Sequence, residues 1–348
     1  MRPIKVLIID DSALTRSVLQ TIINADSTLD VVGTAIDPII AAKKIQQVNP
    51  DVITLDLEMP RMDGLTFLKK LMLNNPKPVV VISGNSPKAS INAIRALEYG
   101  AIEIIEKPDL STPSKLSEVS NDICNAIKTA AEAKVKFSRS SNIKTEIIST
   151  SSITQNESKL STHFLVIGSS TGGPDLLREI FQSIHSNIPG CVVAQHMPAK
   201  FTKSFADRLN TICKLNIKEA TNGDYIKNNQ VLIIPGDYHG VVKKDNQGYY
   251  IQLNREEKVN RHRPSVDVLF TSAAQVAGGK ATGILLTGMG DDGAKGLLSL
   301  RQSGAMTIAQ DAASCVVFGM PKRAIEIHAA QEVLSTEQII RSINEFKI

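Results

Sequence analysis

The stretch Phe164-Leu165-Val166-Ile167-Gly168-Ser169-Ser170-Thr171-Gly172-Gly173-Pro174 constrains this chain more than any other. Four apolar residues run straight into a turn of small residues. Pro174 suits the first turn of a helix, and Leu176, Leu177, Ile180 and Phe181 follow at helical spacing. A strand, a tight turn and a helix in that order put Ser170 at the turn. Gly168-Ser169-Ser170-Thr171-Gly172 also has the G-x-S-x-G spacing of a nucleophile elbow. Glycines let the backbone turn sharply, and the start of the helix offers N–H groups to an oxyanion. A glycine-serine turn without chemistry is the competing reading of this stretch alone.

The N-terminal part of the chain repeats the pattern of apolar run and polar end. Residues 5–9 read as a buried strand followed by Asp10 and Asp11, and Leu14, Val18, Leu19, Ile22 and Ile23 have helical spacing. A short strand is expected at Val31-Val32 and a helix from Pro38 to Val48. Residues 52–55 end in Asp56, Val79–Ile82 end in Ser83, and Ala101–Ile105 lead to Lys107-Pro108. Strands alternating with helices predict a doubly wound parallel sheet. In such sheets ligands bind beyond the carboxyl ends of the strands, where these polar residues fall. Asp10, Asp11 and Asp56 would repel one another unless they surround a hard cation such as Mg²⁺. Ser83 and Lys107 add a hydroxyl and a cation suited to a phosphoryl group. A single aspartate after a strand is more often a helix N-cap, but five such residues on one edge point to a site.

The paired aspartates, Asp56-Leu57-Glu58-Met59-Pro60-Arg61-Met62-Asp63-Gly64, Ser83 and Lys107-Pro108 resemble a response-regulator receiver domain over roughly residues 1–135. The resemblance implies a flavodoxin-like fold with Asp56 as phosphoacceptor. It also implies Mg²⁺ held by Asp10, Asp11, Asp56 and the backbone carbonyl of Glu58, with Ser83 and Lys107 contacting the phosphoryl oxygens. Many receivers carry Phe or Tyr three residues before the lysine. This chain has Ile104 there, which departs from the usual aromatic switch.

Residues 113–134 fit a closing helix, with Leu116, Val119, Ile123, Ala126, Ile127 and Ala130 at helical spacing. Residues 136–161 are rich in Ser, Thr, Lys and Asn, too polar to bury a core, and are expected to form a flexible linker. Residues 162–348 then form a second domain. Cys191–Gln195 read as a strand ending at His196, and Phe201, Phe205 and Leu209 as a helix face. Further strands are expected at 231–234, 238–244 and 249–253, the last two joined as a hairpin, and at Thr282–Leu286. Met306–Ala309 is the last strand candidate, and Leu297, Leu298 and Leu300 mark a helix before it.

Ser170, His196 and Asp292 each follow the carboxyl end of an expected parallel strand. A serine hydroxyl needs a base to take its proton; histidine serves near pH 7, and a carboxylate fixes its tautomer. The chain order Ser, His, Asp is no objection, because triads are defined by geometry. Asp292 could equally cap the next helix, and Asp291 competes for its role.

IGSSTGG, AQHMP, NRHRPSVDVLF, LLTGMGDDGAKG and AQDAASCVVFGMP, in that order, resemble the catalytic domain of the chemotaxis protein-glutamate methylesterases, the CheB family. The resemblance implies a Rossmann-like esterase domain with a β-hairpin insertion. Ser170 would be nucleophile, His196 base and Asp292 the orienting carboxylate, with Thr171 and Met289 as oxyanion candidates. It implies hydrolysis of glutamate methyl esters, and deamidation of specific glutamines, on methyl-accepting chemoreceptors. Phosphorylation by a histidine kinase would activate the enzyme, and the ester step would need no cofactor.

Two alternatives stand beside this reading: a response regulator with a DNA- or protein-binding output, and a serine esterase acting on small-molecule esters. Methanol release from methylated receptors separates them. Aromatics are only 4% and tryptophan is absent, which argues against base-stacking platforms for single-stranded nucleic acid; the net charge of +4 neither requires nor excludes an acidic partner, and no helix-turn-helix pattern or concentrated charge follows the linker. Arg261, His262 and Arg263 could meet acidic receptor helices. Four scattered cysteines fit a reducing cytosol, and no apolar run approaches the roughly 20 residues of a membrane helix. The expected place is the cytoplasm, without membrane insertion.

Overall fold

The apolar runs of the N-terminal region become the strands of one parallel sheet. In the computed structural model, which describes residues 2–59, 63–84, 86–108, 113–133, 159–184 and 187–346, the chain divides into units Met1–Arg139 and Ser140–Ile348. In the first unit β1 (Ile4–Ile9), α1 (Ala13–Asn24), β2 (Leu29–Ala35), α2 (Pro38–Val48), β3 (Val52–Leu55) and α3 (Gly64–Asn74) alternate. They are followed by β4 (Val79–Ser83), α4 (Pro87–Glu98), β5 (Glu103–Glu106) and α5 (Pro113–Glu132). The order β2-β1-β3-β4-β5, parallel throughout, is the flavodoxin-like one.

Local chemistry explains the boundaries. Asp37 and Ser86 cap α2 and α4 through their side chains, and each is followed by a proline in the first turn. The central strands are runs of Val, Ile and Leu because helices cover both faces. β2 is longer than Val31-Val32 alone suggested. It is an edge strand, so it admits the exposed Asp30 and the half-buried Thr34.

The second unit begins with β6 (Phe164–Ser169), α6 (Gly173–Gln182), β7 (Gly190–Gln195), α7 (Ala199–Ile212), β8 (Asn216–Glu219) and β9 (Gln230–Ile233). It continues through β10 (His239–Lys244), β11 (Tyr249–Asn254), α8 (Val266–Ala277), β12 (Ala281–Leu285) and α9 (Ala294–Gln302). It ends with β13 (Met306–Gln310), α10 (Met320–Glu326), β14 (Glu332–Leu334) and α11 (Thr336–Asn344). Seven parallel strands pair in the order β14-β13-β12-β6-β7-β9-β8, and β10 and β11 form a separate antiparallel hairpin. The chain winds outward from β6 through β7 to one edge, then returns to β12 and winds the other way. The carboxyl ends of β6 and β12 thus flank the topological switch point, where open α/β sheets bind ligands.

Two glycines make the turn after β6 possible. A Cβ on Gly168 would lie 2.2 Å from Val266 Cγ1, so only glycine lets β6 end against α8. Gly172 takes φ +76° at the start of α6, a conformation side chains resist.

The sequence reading ended the strands at Met306–Ala309 and contained neither β8 nor β14. Both lie on sheet edges and are short. β8 carries one apolar side chain, Ile217, which is buried, so it lacks the continuous run that betrays the central strands. The expected linker lies largely outside the described residues, as do Pro60, Arg61 and Met62. Its last residues are already anchored. Leu160 bridges to Lys227, and buried Ser161 accepts a hydrogen bond from Gly190 N at 2.7 Å while donating to Asn228 Oδ1.

Candidate active site

At the carboxyl edge of the first sheet, Asp10, Asp11 and Asp56 offer carboxylate oxygens within 4.8 Å of one another. Asp10 and Asp56 are buried and Asp11 is exposed. Lys107 Nζ reaches Asp56 Oδ2 at 2.7 Å and Asp10 Oδ2 at 3.0 Å. Burial pushes the Asp10 carboxyl up and the Asp56 charge adds to this, while Lys107 opposes both. Burial alone would lower the Lys107 ammonium, but the hydrogen bond and charge of Asp56, together with Asp10, raise it. Glu58 N donates to Asp56 Oδ1 at 3.1 Å, which brings the Glu58 backbone to the same place. Ser83 is fully buried, and its Oγ has no hydrogen-bond partner among the described residues. Crowded carboxylates beside an unspent hydroxyl fit a divalent cation and a phosphoryl group. Ile104 is buried in β5, where it pairs in register with Val81.

The second edge brings Ser170, His196 and Asp292 together. Ser170 follows β6, His196 follows β7, and Asp292 lies in the loop after β12. His196 N donates to Ser169 O at 3.0 Å and Ser170 N to Thr287 O at 3.0 Å, which ties the three loops to one another. His196 Nδ1 lies 3.1 Å from Ser170 Oγ, and Nε2 lies 2.8 Å from Asp292 Oδ2. An ionised carboxylate can only accept, so Nε2 carries the proton. Nδ1 is then left with a lone pair facing the serine hydroxyl. The ring therefore uses its nitrogens in the opposite sense to the chymotrypsin template, in which Nε2 meets the serine.

Asp292 is 2% exposed and Asp291 is exposed, which settles which of the neighbours reaches His196. Besides His196, Asp292 accepts from Ser265 Oγ (2.7 Å), Val266 N (2.7 Å), Asp267 N (3.2 Å) and Asn260 Nδ2 (2.8 Å). Three of these donors are the N-cap and first residues of α8. The carboxylate thus sits at a helix N-terminus, a placement worth about 0.3–1 kcal/mol and more when partly buried. Burial would push the Asp292 carboxyl up, but the hydrogen bond and charge of His196, with Asn260 and Ser265, hold it well below the usual range.

Thr171 is buried directly after Ser170, and exposed Met289 follows Gly288. A Cβ on Gly288 would lie 2.7 Å from Ser170 Cβ, so the glycine lets the turn that carries Met289 pack against Ser170.

Comparison with known proteins bears on both edges. Residues 165–343 match the family described as CheB methylesterase, and residues 6–118 match the response regulator receiver domain. The chain is 44% identical to a protein-glutamate methylesterase/protein-glutamine glutaminase of Geobacter metallireducens, over 99% of each chain.

This chain belongs to the CheB methylesterase family.

A protein-glutamate methylesterase/protein-glutamine glutaminase of Rhodopseudomonas palustris is 47% identical over 98% of this chain and 95% of its own. The CheB methylesterase catalytic domain of Thermotoga maritima, a crystal structure, superposes with a TM-score of 0.51. It is 42% identical and covers 53% of this chain and 97% of its own.

Several residues of the CheB methylesterase domain that build the site were not singled out by sequence. Gln195 is buried; its Nε2 donates to Ser170 O (3.0 Å) and His196 O (2.9 Å), and its Oε1 accepts from Ser169 Oγ (2.6 Å). One amide thus spans the loops of Ser170 and His196. Asn260 Nδ2 bridges Asp292 Oδ1 and Asp267 Oδ2, each at 2.8 Å. Burial and the charge of Asp292 push the Asp267 carboxyl up. Arg263, expected to face an acidic partner, is engaged within the domain: it pairs with Asp237 and donates to the Arg255 and Glu256 carbonyls. Arg261 is exposed.

The His262 ring is pushed down from the ordinary 6.5 to about 3, mainly by burial and also by His196, Lys258 and Arg261, with Asp292 opposing. Unfolded, it takes up a proton near pH 6.5; folded, only near 3. Its contribution to stability is complete above about 6.5 and is lost as pH falls towards 3. The depressed Asp292 carboxyl adds a loss of the same sign at lower pH. As pH is taken from 7 to 3, His262 lowers the melting temperature, against the opposite contribution of the raised Asp10 and Asp267 carboxyls, and His262→Phe removes its share, so the variant's melting temperature rises relative to the wild type as pH falls. Thermal melts at a series of pH values check this.

Proposed function

We propose that this protein hydrolyses glutamate methyl esters on chemoreceptors, and deamidates specific receptor glutamines, under control of a phosphoryl group received from a histidine kinase. The observation that carries the reading is the His196 ring, one nitrogen facing Ser170 Oγ and the other Asp292, in a chain of the CheB methylesterase family. Ser170 Oγ attacks the ester carbonyl carbon while its proton passes to His196 Nδ1. The N–H groups of Thr171 and Met289 stabilise the oxyanion. The C–O bond to the methoxy group breaks, and His196 returns the proton so that methanol leaves. Water then gives a proton to His196 as it attacks the acyl-enzyme; the C–Oγ bond breaks, His196 returns the proton to Ser170 Oγ, and the glutamic acid released ionises to its carboxylate. With glutamine the leaving group is ammonia. No cofactor takes part in these steps.

In the receiver, Asp56 accepts the phosphoryl group. Asp10, Asp11, Asp56 and the Glu58 carbonyl would hold Mg²⁺, which would supply positive charge to offset that of the phosphoryl oxygens. Ser83 and Lys107 contact those oxygens. Residues 1–135 act as receiver, 136–161 as linker and 162–348 as esterase, in the cytoplasm; no described helix is long and apolar enough to cross a membrane.

The test is methanol release from methylated receptor membranes, with and without a small phosphodonor and Mg²⁺. The reading requires release, and requires the phosphodonor to raise it. Activity on small esters alone would overturn it. Asp56→Asn should take up no acid-labile phosphate and lose the gain from phosphodonor while keeping the basal rate. Undiminished labelling of that variant would identify another acceptor.

A further inference from the structure

His262 is a half-buried imidazole that the steps above do not use. It closes a tight turn between β11 and α8: Val259 N donates to His262 O at 3.2 Å, and His262 N to Val259 O at 2.9 Å. Asn260 and Arg261 form the tip with φ of +52° and +70°. The two left-handed residues reverse the chain at the tip, so Asn260 and His262 reach the two members of one hydrogen-bonded pair, Asp292 and His196. Asn260 donates to Asp292, and the His262 ring lies flat on His196, with centroids 3.7 Å apart and planes 10° apart. One turn therefore supports both the base and its carboxylate.

The two hydrogen bonds of His196 leave its nitrogens along a single line between Ser170 and Asp292. They resist displacement along that line more than tilting of the ring about it. A flat partner against the ring face supplies the missing restraint. His196 also becomes an imidazolium in each half of the proposed reaction, and a neutral aromatic face stabilises a cation beside it. The charged and titratable groups around His262 are His196, Asp292, Lys258 and Arg261. No hydrogen bond joins the His262 ring nitrogens to another described residue, so its contact with the base is through the ring face.

We propose that His262 is a positioning residue for the base: its stacked ring holds the plane of His196 and stabilises the imidazolium formed during turnover. This rests on the reading of Ser170, His196 and Asp292 as the reacting groups.

The experiment uses the full chain and methylated receptor membranes, with kcat and KM for methanol release measured from pH 5 to 9. The variants are His262→Ala, His262→Phe and Ser170→Ala. His262→Ala is expected to lower kcat roughly three- to tenfold, with KM changed by less than about twofold. His262→Phe, which keeps a flat neutral ring and most of the volume, should recover most of that loss and retain the wild-type shape of the pH profile. A His262→Ala enzyme with wild-type kcat overturns the proposal. So does a folded His262→Phe enzyme as poor as His262→Ala, and so does loss of one limb of the pH profile, which would make His262 a proton carrier. A change in KM alone would make it a substrate contact and equally overturn the proposal. Should the alanine variant fail to fold, the kcat and pH profile of the phenylalanine variant decide. Ser170→Ala separates the two levels: if it stays active the triad reading itself fails, whereas if it is inactive and His262→Ala is normal, only the role of His262 fails.

Discussion

Ser170→Ala leaves a folded protein that releases methanol at a rate about 10⁶-fold below the wild type, the loss seen when a triad nucleophile is removed. The hydroxyl faces His196 Nδ1 at 3.1 Å, and a methyl group has neither the lone pair to attack nor the proton to give. The fold is insensitive because the position is held by its backbone. Ser170 N donates to Thr287 O, and Ser170 O accepts from Gly173 N and Gln195 Nε2. None of these bonds involves Oγ. Methanol release at saturating receptor, together with a melting curve, checks both halves. Retention of more than about a tenth of the wild-type rate would remove Ser170 from the mechanism.

Asp292→Asn should lower kcat by about 10⁴-fold, while Asp291→Asn stays close to wild type. Asp292 receives five donors, from His196, Ser265, Val266, Asp267 and Asn260. An asparagine has one acceptor oxygen where the carboxylate has two. Its NH₂ must therefore face a group that also donates. If it faces the histidine, Nε2 becomes the acceptor and the ring proton moves to Nδ1, where it blocks removal of the serine proton. If it faces the start of α8, the N-terminal N–H groups lose their acceptor. The change therefore costs stability as well as rate, by about 1–3 kcal/mol for a buried group left unpaired. The exposed Asp291 has no such role. Parallel kinetics and denaturation of the two variants test the assignment; a poorer Asp291 enzyme would move it by one residue.

What could be read from sequence and what could not divide along physical lines. The central strands are continuous apolar runs because they are covered on both faces, and each ends at a polar residue that the site uses. That made Asp10, Asp56, Ser170 and His196 legible. The edge strands β8 and β14 lack such runs. The start of α8 was visible as a motif but not as a helix, because Asn260 to Pro264 drew attention to their charge. Yet Ser265 caps that helix through its side chain, accepting from Val268 N, and this could have marked its start. Asp292 was ambiguous against Asp291 because the choice depends on α8, which is remote in sequence. Gln195 was illegible as a site residue for a similar reason, and so was the stacking of His262 on His196. An amide at a strand end and an imidazole in a basic stretch acquire their roles only from partners across the fold, the Ser170 carbonyl in one case and the His196 ring in the other.

The separation along the chain of the groups that meet at the switch point has a consequence for biosynthesis. His196 and Asp292 are 96 residues apart, and β12 must add to the far side of β6 before they meet. A nascent chain that has emerged through β9 already carries the serine and the histidine, but the histidine has no carboxylate to fix its tautomer. Contacts this distant close late, because the entropy of the intervening chain must be overcome first. A chain that ends before residue 292 therefore carries Ser170 and His196 without the carboxylate that orients the histidine. An incomplete chain of this kind lacks the His196–Asp292 pair on which the proposed ester chemistry depends, because the strand that brings Asp292 is made after the serine and the histidine.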